Sequence, residues 1–203
     1  MDHRKLPRRR GEALLSAIYT ATLEELAESG YADLTVDRVA KRAHTSKASM
    51  YRRWPSKVEL VIDAVYRNVR DSLTPPDTGD LRQDALALLR LIADMLAGPR
   101  GEVVRGLIPE VVRNPELGAA RARIAGLAGD PMLTVLQRAA DRGEARSSAM
   151  TPRVAGVAPA LIREYFLIHG APIPDEVIVE IVDEVLLPLV SSTRGDGDNR
   201  DSK

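Results

Sequence analysis

The chain has 203 residues with 29 basic and 29 acidic side chains, so its formal net charge is zero, and it contains no cysteine. Without cysteine it can form no disulfide bond, thiolate nucleophile or cysteine-ligated metal site. No apolar run approaches the roughly 20 residues that span a bilayer, and the first ten residues lack the hydrophobic segment of a signal peptide. We therefore expect a cytoplasmic protein that does not associate with membranes.

Positive charge is concentrated near the N-terminus. Residues 1–57 contain 12 Lys and Arg against 7 Asp and Glu, a net of +5, and the rest of the chain carries 17 against 22, a net of −5. A basic segment attached to an acidic body is typical of a DNA-binding headpiece. Within residues 1–10, the run Arg8-Arg9-Arg10 either reaches the DNA as a flexible arm or forms a solvated basic tail.

Residues 34–54, LTVDRVAKRAHTSKASMYRRW, predict two short helices joined by a turn. Thr35 and Ser46 are the expected N-caps, because a hydroxyl there accepts a hydrogen bond from an otherwise unpaired backbone N–H. The second helix starts with small, polar or cationic side chains, and such a helix can enter a major groove because nothing bulky holds it away from the base edges. The expected DNA contacts are Thr35, Thr45, Ser46, Lys47, Ala48, Ser49, Tyr51 and Arg52, with Arg9 and Arg10 from the arm.

The next helix opens with a capping box, Ser56-Lys57-Val58-Glu59. Lys57 falls at its first turn, where the helix dipole and free N–H groups already favour an anion. We expect Lys57, Tyr51 and Arg52 to clamp a DNA phosphate. Such contacts fix the register of the protein on DNA but carry no sequence information.

The remaining chain predicts helices throughout, because apolar residues recur at helical spacing and no long stretch alternates with period two. Caps, glycines and prolines mark the expected boundaries. These boundaries are a capping box at Asp80 and Gln83, a helix from about Glu102 interrupted by Pro109, starts at Asn114-Pro115 and Thr151-Pro152, and breaks or kinks at Gly126, Gly129 and Pro131.

Together these elements predict an all-α fold: a three-helix DNA-binding headpiece with a helix-turn-helix, followed by a larger helical bundle, about nine helices in all. We place the headpiece at residues 1–57, with the basic arm at 1–10. An effector-binding and dimerisation domain follows at residues 58–191. The tail at residues 192–203 is rich in Gly, Asp, Ser and Arg, which predicts disorder.

The last two helices carry apolar stripes wider than one neighbouring helix can cover. Either a second copy of the chain buries the surplus, or both faces are covered within one chain. A dimer is the favoured interpretation, since a twofold protein naturally reads a twofold DNA site. The expected interface residues are Val154, Leu161, Tyr165, Ile178, Val182, Val185 and Leu189.

Residues from about Gly11 to Ala64 resemble the DNA-binding domain of TetR-family transcriptional regulators. The resemblance rests on four runs at fixed spacing: Thr35-Val36-Asp37-Arg38-Val39-Ala40, Ala43-His44-Thr45-Ser46, Met50-Tyr51-Arg52-Arg53-Trp54 and Lys57-Val58-Glu59-Leu60. It implies a DNA-binding regulator, most often a ligand-responsive repressor that binds a palindromic operator as a homodimer through its last two helices. It also implies a small effector bound among the C-terminal helices, which shifts the headpieces apart.

One position departs from the family pattern, because His44 stands where glycine is usual, at a turn that tends to need a positive φ. Histidine tolerates this conformation better than most residues but less well than glycine. His44 either simply adopts the turn or, when protonated, also approaches a phosphate.

Few aromatic residues follow Lys57, so an aliphatic effector pocket is more plausible than one that stacks on flat rings. We expect an apolar effector lined by Met95, Arg105, Leu107, Met132, Leu136, Leu161 and Phe166. The sequence contains no phosphate-binding loop, no nucleophile elbow and no pair of histidines at metal-binding spacing. We therefore expect neither enzyme activity nor a cofactor or metal site. The alternative function is a dimeric helical receptor that binds a small molecule or a protein and does not bind DNA.

Overall fold

The computed structural model describes residues 11–114 and 117–191, and the regular elements within these ranges are helices. They are α1 (Glu12–Asp33), α2 (Val36–Arg42), α3 (Lys47–Tyr51), α4 (Lys57–Ser72), α5 (Leu81–Ala97), α6 (Pro99–Arg113), α7 (Gly118–Asp141), α8 (Val157–His169) and α9, which joins Asp175–Glu180, a π-helical stretch Ile181–Leu186 and Leu187–Val190. Single helical turns at Ser147–Ala149 and Pro152–Ala155 precede α8. The expected all-α class with about nine helices is confirmed.

None of the described helices is long and apolar enough to cross a bilayer. Three expectations lie outside the described residues: the basic arm at residues 1–10 with Arg9 and Arg10, the helix start at Pro115, and the disordered tail at residues 192–203.

Short polar side chains begin the helices where the sequence predicts. Thr35, Ser46, Asp80 and Thr151 each accept a hydrogen bond from the backbone N–H three residues later. Each such cap contributes about 1 kcal/mol to stability. The capping box expected at Asp80 differs in one bond. The Asp80 backbone N–H donates to Thr78 Oγ1 at 3.4 Å, in the place where the Gln83 side chain was expected as acceptor.

The expected helix breaks at internal prolines are wrong. Helix α6 begins at Pro99, earlier than Glu102, and continues through Pro109, while α7 continues through Pro131. An internal proline removes one hydrogen bond and costs about 3 kcal/mol, but fully burying one large aliphatic side chain recovers about 1.5–3 kcal/mol. The buried side chains near these prolines are Leu107, Val111, Met132 and Val135.

The chain divides into two compact units, and the first comprises Met1–Val69 with Glu102–Arg123. This unit therefore extends beyond the headpiece boundary expected at residue 57 and includes most of α6. Its core contains Val39, Met50, Leu60 and Val61, all fully buried. Helix α1 is kinked at Gly30, whose φ of 72° is available to glycine at little cost.

The second unit comprises Arg70–Gly101 with Ile124–Lys203, and in it α5, α8 and α9 pack on one another. Two surface ion pairs join α5 to α9: Arg82 Nε lies 2.6 Å from Asp183 Oδ1, and Arg90 Nε lies 2.6 Å from Asp175 Oδ1. Exposed pairs of this kind contribute at most about 1 kcal/mol. The apolar core therefore supplies most of the stability, with Leu88, Leu89, Ile162, Val182 and Leu186 fully buried.

Candidate nucleic-acid interface

Helix α3 is held by a single buried anchor and exposes the rest of its surface. Met50 is 0% exposed, whereas Lys47 and Ala48 are exposed, Ser49 is half-buried and Tyr51 is 41% exposed. The exposed side chains are small, polar or cationic at the N-terminal end of the helix. This surface fits the requirement for a helix that enters a major groove.

The turn before α3 adopts the conformation expected for His44. Its φ of 53° lies in the left-handed region, and it is the non-glycine residue with positive φ among the described residues. The Thr45 N–H donates to the Ala40 carbonyl at 2.9 Å, which closes the turn. His44 is exposed, so the turn uses its backbone and leaves its imidazole at the surface.

Lys47 and Asp37 link α3 to α2 across the helix-turn-helix. Lys47 Nζ lies 2.9 Å from Asp37 Oδ1, and a hydrogen bond to Asp37 raises the pKa of Lys47. Both side chains are more than half exposed. An exposed pair is weak in water, so Lys47 can exchange Asp37 for an acceptor on DNA at little cost. Thr35 lies exposed at the start of α2, as a contact to the DNA backbone requires.

The capping box at the start of α4 is complete and places Lys57. The Ser56 N–H donates to Glu59 Oε2 at 3.1 Å, and the Glu59 N–H donates to Ser56 Oγ at 3.2 Å. Lys57 Nζ donates to the carbonyls of Tyr31 at 3.0 Å and Ala32 at 3.3 Å. An ammonium has three N–H groups, so a phosphate contact by Lys57 stays a prediction and would use the remaining donor.

The aromatic ring of Tyr31 lies against the ammonium group of Lys57. Lys57 Nζ lies 4.4 Å from the ring centroid, a favourable cation–π distance. On α6, a Cβ added to Gly106 would lie 2.8 Å from Tyr31 Cδ1, so only glycine lets α6 approach this ring. Burial, with the nearby charge of Glu110, raises the pKa of Tyr31 to about 12. The ring is therefore a neutral packing element between Lys57 and α6.

A network of charges that the sequence analysis missed holds α2 against α1. Glu25, almost fully buried, lies 2.8 Å from Arg38 Nε and 3.0 Å from Arg42 on its two oxygens. Arg42 also donates to Glu28 at 2.7 Å and to Glu24 at 3.3 Å, and the bond to Glu28 raises the pKa of Arg42. These two arginines are therefore already paired within the protein. The signal in the sequence was the i, i+4 spacing of both Arg38–Arg42 and Glu24–Glu28.

A second cluster that the sequence analysis missed fixes the end of the helix-turn-helix. Trp54 is buried, and its Nε1–H donates to Asp63 Oδ2 at 2.9 Å. Tyr19 of α1 donates to the same oxygen at 2.8 Å and meets Trp54 edge-on at 5.9 Å between ring centroids. Burial and the bond to Asp63 raise the pKa of Tyr19. Asp63 thus ties α4 to α1 and to the residue that ends the α3 segment.

The cations that remain at the surface of this region are suited to phosphate. Arg52 and Arg53 follow α3 and are exposed, and the Arg53 guanidinium lies 5.4 Å from the Trp54 ring. Arg53 was not among the expected DNA contacts, although it belongs to the same run. Cations beside an inserted helix add affinity that does not depend on sequence.

The expected effector-pocket residues are not gathered in one compact unit. Arg105 and Leu107 belong to the first unit, where Arg105 pairs with Glu102 at 3.0 Å on the surface. The others belong to the second unit, where Met132, Leu136 and Phe166 are at most 1% exposed. Met95 and Leu161 are half-buried. The effector pocket stays a prediction.

The expected dimer-interface residues differ in their burial. Ile178 and Val182 are buried within a single chain, at 3% and 0% exposure, because α9 turns them toward its own core. They therefore leave little surface for a partner chain, and the dimer interface stays a prediction. The other expected residues are half-buried: Val154, Leu161, Tyr165, Val185 and Leu189. Near them, Ile168 on α8 is 66% exposed.

Among residues 11–114 and 117–191, no group of three His, Asp or Glu side chains is arranged to hold a metal ion. The chemistry available in the first unit is that of hydrogen bonding and charge pairing around an exposed short helix.

Two family models match the chain. Residues 18–64 match the model for bacterial regulatory proteins of the tetR family. Residues 75–185 match the model for the C-terminal domain of tetracyclin repressor-like proteins.

Curated and structural relatives agree with the family models. An uncharacterized HTH-type transcriptional regulator of Mycobacterium tuberculosis is 36% identical over 179 residues, which cover 88% of each chain. The DNA-binding transcriptional repressor TetR of Mycobacteroides abscessus is 33% identical over 189 residues, covering 89% of this chain and 96% of the relative. The crystal structure of the TetR family transcription regulator SCO0332 aligns with a TM-score of 0.74 at 29% identity, covering 89% of this chain and all of that one.

Proposed function

The chain belongs to the TetR family of transcriptional regulators, which bind DNA and are not enzymes, and we propose that it acts as a homodimeric repressor on a palindromic operator. The observation that carries this proposal is the exposed surface of α3, which presents Lys47, Ala48 and Ser49 around a single buried anchor, Met50. We assign base contacts to this surface. Repression agrees with the name of the relative from Mycobacteroides abscessus.

Contacts to the DNA backbone are assigned to side chains on either side of α3. Thr35 caps α2 and is exposed, while Arg52 and Arg53 follow α3. Lys57 is presented by the capping box of α4 and by two carbonyls at the end of α1. These groups would fix the register of the headpiece, and the base contacts of α3 would supply specificity.

The proposed dimer forms through α8 and α9. Leu161, Tyr165 and Ile168 recur at three- or four-residue spacing along α8, so they share one side of the helix, and Val185 and Leu189 do the same on α9. A large exposed apolar side chain such as Ile168 is consistent with a surface that becomes buried on association. Two copies related by a twofold axis would present two α3 helices to two half-sites about one helical turn apart.

Regulation is proposed to come from a small effector bound in the C-terminal unit. Binding would change DNA affinity only if the effector prefers one spacing of the two headpieces over the other. The sequence of this unit contains only two aromatic residues, Tyr165 and Phe166, which favours an aliphatic, apolar effector over a flat aromatic one.

Selection from a random duplex library tests the proposal. The full chain is incubated with the library, bound duplexes are recovered and sequenced through several rounds, and the mass of the complex with the enriched duplex is measured by native mass spectrometry. We expect a palindromic sequence bound by two chains. An enriched sequence without twofold symmetry, bound by one chain, would contradict the dimeric part of the proposal, and recovery of no motif would contradict specific DNA binding.

A further inference from the structure

Asp37 of α2 places a negative charge beside the helix to which base contacts are assigned. Its carboxylate is bound by Lys47, the first residue of α3, whose Nζ lies 2.9 Å from Asp37 Oδ1 and 2.9 Å from Asp37 Oδ2. The two side chains are 54% and 55% exposed, so both can reach a bound molecule. Asp37 was not among the expected DNA contacts, and a carboxylate in this place requires an explanation.

Stability explains the Asp37 carboxylate only in part. The dipole of α2 favours an acidic residue in its first turn, but it does not require a lysine of α3 as partner. An exposed ion pair contributes little to stability. Glu25 differs in this respect, because it is almost fully buried and holds α2 to α1 through two arginines.

DNA phosphates repel a carboxylate, so Asp37 weakens DNA binding unless a base donates a hydrogen bond to it. The carboxylate keeps lone pairs for such a bond, since its two oxygens offer about four acceptor sites and Lys47 uses one on each oxygen. The donors that base pairs present in the major groove are cytosine N4–H₂ and adenine N6–H₂. Asp37 therefore suits a base edge and not the DNA backbone.

The Lys47–Asp37 pair matches the major-groove edge of one G·C base pair. Lysine binds the acceptors O6 and N7 of guanine, and aspartate accepts from cytosine N4. Cytosine N4 donates to guanine O6 within the base pair, so this donor and this acceptor lie about 2.9 Å apart. The same distance separates Lys47 Nζ from either oxygen of Asp37. The two side chains thus have both the spacing and the complementary polarity of this edge.

From this match we infer that Asp37 is a specificity-determining residue, which reads the cytosine of the same G·C pair whose guanine Lys47 reads. An ammonium has three N–H groups, so Lys47 donates to guanine O6 and N7 and keeps one contact to Asp37. The other carboxylate oxygen accepts from cytosine N4. This inference rests on the proposed base contacts of α3 and adds a residue of α2 to them.

The polarity of the pair discriminates against other base pairs to different degrees. In the reversed C·G pair, Lys47 faces the N4 donor and Asp37 faces the O6 acceptor, so both contacts are lost and become repulsive. A T·A pair, with thymine in place of guanine, keeps the acceptor O4 and the donor N6, but a methyl group replaces N7. We therefore expect binding to weaken in the order G·C, T·A, C·G.

Binding of the full chain to single-base-pair variants of the selected duplex tests the inference. The wild type, Asp37→Asn and Lys47→Ala are titrated by fluorescence anisotropy at one salt concentration, and Lys47→Ala identifies the base pair that Lys47 reads. Reversal of this pair in one half-site should weaken wild-type binding at least about 25-fold, because each of the two contacts discriminates at least about fivefold. Asp37→Asn should reduce this penalty at least about fivefold and leave the preferences at other positions unchanged, because its amide also donates to the O6 of the reversed pair.

Glu24→Gln is the matched control for the loss of one negative charge. Glu24 is 50% exposed and lies 3.3 Å from Arg42, so it too is an exposed carboxylate paired with a cation of the headpiece. Its removal should change the affinity for all duplexes alike. Asp37→Asn should unfold at nearly the same temperature as the wild type, since the exposed pair contributes little to stability.

Several results would overturn the inference. One is a uniform change of affinity at every position for Asp37→Asn, as expected for Glu24→Gln, because it would reduce Asp37 to its charge alone. Others are a clearly lower unfolding temperature with equal weakening at every position, an effect at a base pair that Lys47→Ala does not affect, and a wild-type preference for A·T or T·A at the pair that Lys47 reads.

The same titrations separate this inference from the proposed function. If the wild type discriminates among the duplex variants and Asp37→Asn discriminates equally well, only the role of Asp37 fails and specific DNA binding stands. If the wild type binds all the variants equally, the proposed function itself fails.

Discussion

Replacement of Asp63 by alanine should loosen the headpiece selectively. Asp63 Oδ2 accepts hydrogen bonds from Trp54 Nε1 at 2.9 Å and from the Tyr19 hydroxyl at 2.8 Å. Trp54 is only 4% exposed, so water cannot readily replace the lost acceptor, whereas the half-buried Tyr19 hydroxyl can turn to solvent. Asp63→Ala therefore removes the hydrogen bond of Trp54, which water cannot readily replace, and the hydrogen bond of Tyr19, which water can replace.

The expected loss follows from these two bonds. A buried donor left without a partner costs about 1–3 kcal/mol, and a replaceable hydrogen bond contributes about 0.5–1.5 kcal/mol. Together they predict a loss of about 1.5–4.5 kcal/mol, which for a chain of this size lowers the unfolding midpoint by roughly 3–18 °C. Asp63→Asn keeps an acceptor oxygen of similar position and should lose less than half as much.

Trp54 is the only tryptophan in the chain, so its fluorescence reports unfolding at this cluster. The measurement is thermal unfolding of the wild type, Asp63→Ala, Asp63→Asn and Tyr19→Phe, with DNA affinity measured below the midpoint. Tyr19→Phe, which removes only the replaceable bond, should cost about 1 kcal/mol. An Asp63→Ala midpoint within 1 °C of the wild type would refute the reasoning that this carboxylate holds α4 to the end of the helix-turn-helix.

Three further changes test other parts of the account. Glu25→Gln should lower stability by about 1–3 kcal/mol because Arg38 and Arg42 lose a buried counter-charge, and an unchanged denaturation midpoint would contradict this. Lys57→Ala should weaken binding to all duplexes similarly and reduce the slope of log K against log salt by about 0.9, while a changed base preference would contradict its phosphate role. Val185→Asp should shift the mass seen by light scattering toward the single chain, because an unpaired charge in an interface is costly, and an unchanged mass would exclude Val185 from it.

The local features of the fold could be predicted because they depend on neighbouring residues. The caps at Thr35 and Ser46 and the box of Ser56 with Glu59 involve partners three residues apart, and the structure confirms each of them. The positive φ of His44 was also predictable, because the turn imposes it on any residue at that position.

Features that depend on distant residues could not be predicted in the same way. Asp63 joins Trp54 to Tyr19 across 44 residues, and no spacing rule relates these positions. Pro109 was expected to interrupt its helix and Pro131 to break or kink the next one, since local preference opposes proline there. Both helices continue, because burial of neighbouring apolar side chains outweighs that preference.

The assignment of apolar faces depends on more than sequence spacing. Apolar periodicity on α9 shows that the stripe is wide, but not which part the chain covers itself, and the structure shows that Ile178 and Val182 are buried within a single chain. The π-helical stretch Ile181–Leu186 also changes the rotation per residue. A helical-wheel projection calculated for an α-helix therefore assigns the side chains beyond this stretch to the wrong direction.

The central claim is that α3 reads DNA bases, and its most direct test is the binding of wild type, Lys47→Ala and Ser49→Ala to every single-base-pair variant of the selected duplex. If these side chains contact bases, each substitution should remove discrimination of about 1–3 kcal/mol at one or two symmetry-related positions and leave the other positions unchanged. Equal weakening at every position for both variants would contradict the claim, because it would make α3 a backbone contact and leave specificity to another part of the protein.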